Sequence, residues 1–435
     1  MSSRPQNAML LNSFIDWLRH KKRKLFQRFY IAHCALEWRK LSHFQEDIHG
    51  QGGLFVIPCD PWSLTGSRGD EAMLMVLQRE FPNIPYYVVT ATPEAAQEAK
   101  NHGWTPIHCW QENGLYENIY NAAKSIKPSF CFVLGADVMD GYYSPRCSVA
   151  FFALADIMQR HGVPTSLLGF SFNSHPNVKV LKNIKHLNAD FHFHLRDQIS
   201  LERFEKSTGK KAILTSDVAF LLQPDTSSEQ YAKCAEWKRQ TGKKLLIVNL
   251  HPMLIRRATQ SQIAQIIAAL HHSLETILKS TDWNVLLLPH DNRKNVTDNI
   301  CLAPLYEKLK RNGNNRVKYI PEVLDAARMK GIVGLGDALV TSRMHLGIAG
   351  LSQGIPTMGF SYQDKFQGMI KHFDLDDQFI LPIPSQDNTE IISQRLKWLL
   401  EHHIEVKEKL LKRLPKVLEL AKRNFVFSPS PSQER

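Results

Sequence analysis

The sequence predicts an α/β protein of two consecutive doubly wound domains facing across a cleft, with a basic helical extension before them and a helical tail after. Three observations lead there. At 435 residues the chain exceeds what one hydrophobic core sustains. From residue 53 onward, short apolar runs alternate with stretches of helical period, the pattern of a parallel sheet covered by helices. That alternation halts at a polar stretch around residues 223–241, broken by Pro224-Asp225-Thr226-Ser227-Ser228, and then begins again.

The extension comes first. It spans residues 1–50, and within it residues 1–40 carry nine Lys/Arg against Asp16 and Glu37, so those 40 residues hold +7 of the net charge of +12. Leu10, Leu11, Phe14, Ile15, Trp17 and Leu18 precede the basic cluster, and Leu25, Phe26, Phe29, Tyr30 and Ile31 follow it, at the spacing of an amphipathic helix or helix pair. Such a helix either packs on the first domain with its cations solvated or lies on the inner face of an anionic membrane. The remaining +5 is dilute, so no nucleic-acid partner is expected. No stretch of 18 uncharged apolar residues occurs, and residues 9–11 are too short for the core of a signal peptide, so the expected location is cytoplasmic. Seven dispersed cysteines without a CxxC pair argue for reduced, buried thiols, and no histidines share metal-ligand spacing. Neither a metal nor a cofactor is expected.

The first domain, residues 51–235, has expected strands at 54–58, 86–90, 130–135, 166–172, 190–195 and 212–216, with helices at 70–79, 93–101 and 148–161. The second, residues 236–425, has strands at 244–250, 283–289, 317–320, 338–341 and 357–360, with helices at 261–279, 303–312, 321–328 and 345–353. Residues 387–424 read as a long amphipathic helical tail interrupted at Pro415, and residues 426–435, with Ser-Pro-Ser-Pro-Ser, as disordered.

Chemistry concentrates where strands end. In Asp337-Ala338-Leu339-Val340-Thr341-Ser342-Arg343-Met344-His345 a buried strand gives way at once to a small-residue helix. The first N–H groups of that helix lack intrahelical partners and suit a phosphate. Ser342, Arg343 and Met344 are therefore expected at an anion site, with Arg343 as a bidentate fork. His345, an imidazole beside that anion site, suits proton transfer. Lys365 reaches the same edge from the next loop. At the first strand-to-helix loop, Gly69 permits close approach, while Asp70 and Glu71 repel phosphate and suit sugar hydroxyls. Asp137, past the strand ending in Gly135, faces the cleft too. Arg196 offers a second anion grip at another strand end, and His251 and His290 each follow an apolar strand.

At these residues the chain resembles the polysaccharide pyruvyl transferase family over roughly residues 54–375. The resemblance is carried by Ser342-Arg343-Met344-His345 with Gly354-Ile355-Pro356 and Ser361-Tyr362-Gln363-Asp364-Lys365, by Gly69-Asp70-Glu71-Ala72, and by Leu195-Arg196-Asp197-Gln198-Ile199-Ser200 with Ser216-Asp217. Two departures fall in the acceptor half. Ser67 and Arg68 stand where relatives often have asparagine, and Leu134-Gly135-Ala136-Asp137 replaces a multi-glycine strand end. The resemblance implies two Rossmann-like domains in a GT-B-like arrangement. It also implies transfer of a pyruvyl group from phosphoenolpyruvate to a sugar, as a cyclic ketal, in exopolysaccharide or cell-envelope glycan synthesis. On that reading His345 donates the proton, Arg343 and Arg196 hold phosphate and carboxylate, and Asp70 or Asp137 orients hydroxyls of a sugar or lipid-linked oligosaccharide. The alternatives are a GT-B glycosyltransferase using a nucleotide sugar and a basic binding protein that docks on membrane or nucleic acid.

Overall fold

The computed structural model describes residues 33–44, 46–111, 113–188, 192–255, 257–291, 293, 296–311, 315–360 and 365–425, the last range without the Lys365 side chain. The basic part of the extension and residues 426–435 lie outside it.

Seven parallel strands form the first sheet: β1 (Leu54–Ile57), β2 (Tyr86–Thr90), β3 (Thr105–His108), β4 (Phe130–Leu134), β5 (Thr165–Phe170), β6 (Phe193–Leu195) and β7 (Ile213–Leu214), in the order β3-β2-β1-β4-β5-β6-β7. The second sheet has six, β8 (Lys244–Val248), β9 (Trp283–Leu287), β10 (Val317–Tyr319), β11 (Ala338–Thr341), β12 (Thr357–Phe360) and β13 (Ile380–Leu381), in the order β10-β9-β8-β11-β12-β13. Each has the strand order of a dinucleotide-binding fold, with the order reversing beside β1 in one sheet and β8 in the other. The central strands are apolar throughout because helices cover both faces. Thus Val56 lies between Val88 and Phe132, and Val248 lies between Leu287 and Val340. Alternation sends Leu54 and Val56 to one core and Phe55 and Ile57 to the other. The first of these cores is continuous with that of the second domain, through Val218–Leu221 and Ala326.

Several elements depart from the sequence pattern. Strand β3, Thr-Pro-Ile-His, is a half-exposed edge without an apolar run, and β13 has only two residues. The polar stretch expected between domains is mostly the helix Glu229–Thr241, which buries only Cys234. The helix expected at 321–328 is Ala326–Val333, started by Asp325, whose carboxylate caps Arg328 N–H at 2.9 Å. The tail breaks at His402, between Thr389–Glu401 and His403–Lys422, whereas Pro415 lies inside the second helix.

That tail belongs to both domains. Asn424 accepts from Gly169 N–H at 2.6 Å and donates to Ser216 O at 2.9 Å. Phe425 meets Phe81 and Phe132 edge-on at 6.0 and 6.2 Å. At the other end, residues 33–43 are helical and pack on the first domain, with Trp38 Nε1 donating to buried Asp156 at 2.8 Å. Among the described residues no helix is long and apolar enough to cross a membrane.

Candidate active site

The helix Met344–Leu351 starts three residues after β11 and sits close on its sheet because Gly350 lets it: a Cβ there would crowd Thr357 Oγ1 and Leu339 Cδ2. Its first backbone bond is Gly347 N–H to Arg343 O, so the N–H groups before it have no intrahelical partner. The strand ends beneath are knotted by Asn249. This side chain donates to Leu288 O (3.0 Å) and Asp298 Oδ2 (2.8 Å), and its oxygen accepts from Thr341 Oγ1 and Ser342 Oγ, each at 3.2 Å. Ser342 Oγ also accepts from His251 N–H at 2.8 Å, and His251 Nδ1 accepts from Met253 N–H at 2.9 Å. Ser342 and His251, expected at the substrate, are instead buried struts behind the site.

Arg343 does line the cleft, but its fork is engaged. Nε and Nη2 donate to Asp298 Oδ1 at 2.9 and 2.7 Å, Nη2 also to Val296 O, and Nη1 pairs with Asp291 Oδ2 at 3.0 Å. Arg293 shares Asp291 through a 2.6 Å contact. The free bidentate grip expected of Arg343 is therefore absent from this arrangement, because a carboxylate offers the same geometry as a phosphate oxygen pair. His290 sits beside this pair, its N–H bound to Asp298 at 2.8 Å. Burial and the neighbouring His345, Arg343 and Arg68 push its pKa well below the usual range, which favours the neutral imidazole.

The first domain supplies the opposing wall. The helix Arg68–Glu80 presents Gly69 and Asp70 to the second domain. Gly69 lies against the His345 ring, where any Cβ would clash with Nδ1. Asp70 faces the cavity. Burial raises its carboxyl to about 6, with Asp60 adding to the rise while His345 and Arg293 pull the other way. Glu71 does not contact the cavity. It is wholly buried, pairing with Arg68 Nη1 at 3.0 Å and accepting from Ala326 N–H at 2.8 Å, while Arg68 Nη2 reaches Val323 O at 3.2 Å. The acidic residue expected to bind hydroxyls is an interdomain tie. Asp137 does line the cavity, accepting from Tyr143 Oη at 3.3 Å. So does Arg196, which donates to Ser171 Oγ at 2.7 Å and to Asp217 Oδ2 at 3.1 Å.

Asp217 was visible in the sequence only as part of a motif, and it proves central. His345 Nε2 lies 3.5 Å from Asp217 Oδ2, within ion-pair reach though short of a formed hydrogen bond. Burial alone would raise the Asp217 carboxyl, but the charges of His345 and Arg196 and the Ala219 N–H outweigh it and hold it at about 2.

Together these side chains enclose a cavity of about 360 Å³ at the carboxyl ends of both sheets. It is electrically divided. Asp60, Asp70 and Asp137 come from the first domain, with Arg196 among them, and Arg293, Arg343 and His345 from the second, beside the uncharged His290. Of the residues singled out in the sequence, Met344, His345, His290, Arg343, Arg196, Asp70 and Asp137 line this cavity, and so do Asp60, Trp62 and Arg293, which were not singled out. Asp291 and Arg293, in the segment that follows β9, stood near a strand end and were findable by that rule. Lys365 opens the helix Lys365–Lys371, but its side chain lies outside the described residues.

A family model of polysaccharide pyruvyl transferases matches residues 68–364, from the start of the helix that carries Asp70 to just past β12. The chain belongs to the polysaccharide pyruvyl transferase family. As a member of it, the chain is a transferase of polysaccharide biosynthesis. Its fold is similar to solved nucleotide-sugar enzymes: S. aureus MnaA in complex with UDP (12% identity, 85% of this chain and 94% of that one, TM-score 0.56) and a putative UDP-N-acetylglucosamine 2-epimerase from Listeria monocytogenes (12%, 86% and 95%, 0.55). A UDP-GlcNAc 2-epimerase from Neisseria meningitidis is comparable (11%, 85% and 97%, 0.53). At such identities the likeness establishes the GT-B-like, two-domain architecture of this pyruvyl transferase family member. No curated protein matches the chain.

Proposed function

We propose that this pyruvyl transferase family member moves the pyruvyl group of phosphoenolpyruvate onto two hydroxyls of one sugar, forming a cyclic ketal. The observation that carries the reading is the placement of His345: a second-domain imidazole pressed onto Gly69 and paired with Asp217 of the other half, in a cavity with cations on one side and carboxylates on the other.

The donor carboxylate lies at Arg196 and the phosphate at the start of the helix Met344–Leu351, where Arg343 gives up Asp291, already shared with Arg293, to the ligand. His345 protonates the methylene carbon, which becomes the methyl group and leaves cationic character on the central carbon. A sugar hydroxyl adds there as Asp70 takes its proton. A carboxyl at about 6 suits that exchange near neutrality. The central carbon–oxygen bond to phosphate then breaks, phosphate leaving with the electron pair, and a second hydroxyl closes the ring. The proton held by Asp70 passes to the departing phosphate and leaves with it, and the proton of the ring-closing hydroxyl restores His345. Asp137 orients the hydroxyls.

The test is phosphate release from phosphoenolpyruvate with a panel of sugar acceptors. Acceptor-dependent release by the native chain, lost in His345→Ala, supports the reading. Turnover of a nucleotide sugar without any of phosphoenolpyruvate would replace it by glycosyl transfer. Residues 1–32, with seven Lys/Arg against one acid, are proposed to hold the enzyme at an anionic membrane, where a lipid-linked acceptor would lie. Sedimentation with anionic vesicles, with and without those residues, tests that separately.

A further inference from the structure

The mouth of the cavity carries a large side chain that the donor chemistry leaves unused. Trp62 is 45% exposed, yet it stands on a loop tied at every turn. Asp60 Oδ1 accepts from Trp62 N–H and Ser63 N–H, both at 3.1 Å, and Thr92 Oγ1 donates to Trp62 O at 3.0 Å. Behind the indole, buried Trp110 meets it at 5.7 Å and 74°, and Trp110 is itself packed on Phe151 at 5.4 Å. The ring is thus braced from one side and offered to the cavity on the other. An exposed indole held rigid in this way contributes little to the core and leaves apolar area in water. Asp70 and Asp137 line the same space, and Met253, 36% exposed, comes to it from the second domain.

We propose that Trp62 is the platform of the acceptor subsite, taking an uncharged pyranose with its C–H face on the indole and its hydroxyls turned toward Asp137 and Asp70. The class of ligand follows from the pairing of surfaces. A pyranose has an apolar face of C–H bonds that suits an aromatic ring, and an edge of donors that suits carboxylates. A uronic acid or a phosphorylated sugar would bring like charge toward Asp60, Asp70 and Asp137. A nucleobase stacked on Trp62 would bring its phosphates to the same carboxylates. The proposal rests on the pyruvyl-transfer reading for its use, though not for its binding.

The experiment therefore has two readouts on the native chain, Trp62→Ala and Trp62→Phe, using a panel of methyl hexopyranosides and the corresponding methyl hexopyranosiduronates. In steady-state phosphate release, Trp62→Ala raises the KM of the neutral acceptor on the order of 10-fold. The KM of phosphoenolpyruvate stays unchanged and Trp62→Phe restores most of the loss. Saturation-transfer NMR reads glycoside binding without turnover. A signal from the neutral glycosides that disappears in Trp62→Ala and returns in Trp62→Phe supports the subsite, even if no acceptor releases phosphate and the donor assignment fails. Native-like acceptor KM and NMR signal in Trp62→Ala, uronates that bind as well as neutral sugars, or no glycoside signal from the native chain would overturn it.

Discussion

His345 Nε2 stands 3.5 Å from Asp217 Oδ2, and the two belong to different halves of the molecule. Asp217 is also bound by Arg196 at 3.1 Å, so one carboxylate links the His345 imidazole to a cation of the opposite wall. Its Oδ1 caps Ala219 N–H at 3.0 Å, a bond that asparagine can keep. Asp217→Asn should therefore fold, while kcat falls on the order of 10²-fold as the charge that orients and balances the imidazole is lost. A native kcat in this variant would remove Asp217 from the mechanism. Because the folded carboxyl sits at about 2, below the ordinary 3.8, its pairing stabilises the fold fully above about pH 4 and is lost as pH falls through about 2. The contribution at stake is about 2 kcal/mol, read as the difference in acid unfolding between native chain and variant.

Asp70 has the opposite sign. Its folded value of about 6 lies above the unfolded one, so its favourable contribution is complete below about pH 4 and disappears as pH rises through about 6. Ionised above that, it burdens the fold by up to about 3 kcal/mol. Asp70→Asn should abolish transfer yet raise Tm at about pH 8 and leave Tm at about pH 4 unchanged. A variant no more stable at alkaline pH would show that the buried carboxyl is better solvated than its surroundings indicate.

Gly69→Ala adds one methyl group where the His345 ring lies. The helix itself gains from alanine by roughly 0.5–1 kcal/mol, so Tm should change little while kcat drops at least about 10-fold as the ring is displaced. Retained activity would mean that His345 moves away without loss, which is incompatible with the role proposed for it.

Glu71 and Arg68 tie the start of one helix to the start of another in the opposite domain. Glu71→Ala leaves a buried guanidinium and the Ala326 N–H without their partner, at a cost of about 3–5 kcal/mol. Calorimetry should show that loss. Glu71→Gln, which keeps the acceptor for Ala326, should lose less.

The architecture was legible because buried parallel strands leave nearly continuous apolar runs, as in Phe130-Cys131-Phe132-Val133-Leu134. Elements whose stability comes from context were not legible: β3 is held by β2 rather than by its own apolar content, and Glu229–Thr241 is a helix polar on most of its surface. In the site, strand-end position found His345, Asp70, Asp137 and Arg196. The same rule misassigned Ser342 and Glu71, since a polar residue at a strand or helix end serves backbone groups as readily as a ligand. Asp217 acquires its meaning only across the domain boundary, beside His345, where spacing along the chain carries no signal.

The return of the tail to the first sheet has a consequence for biogenesis. Asn424 and Phe425 close the apolar flank formed by Phe81, Phe132 and Gly169, yet they are synthesised only after the whole second domain. The amino-terminal half therefore waits, with that flank uncovered, through the whole synthesis of the carboxyl-terminal half. Chains released early would carry a sticky surface and little else to hide it.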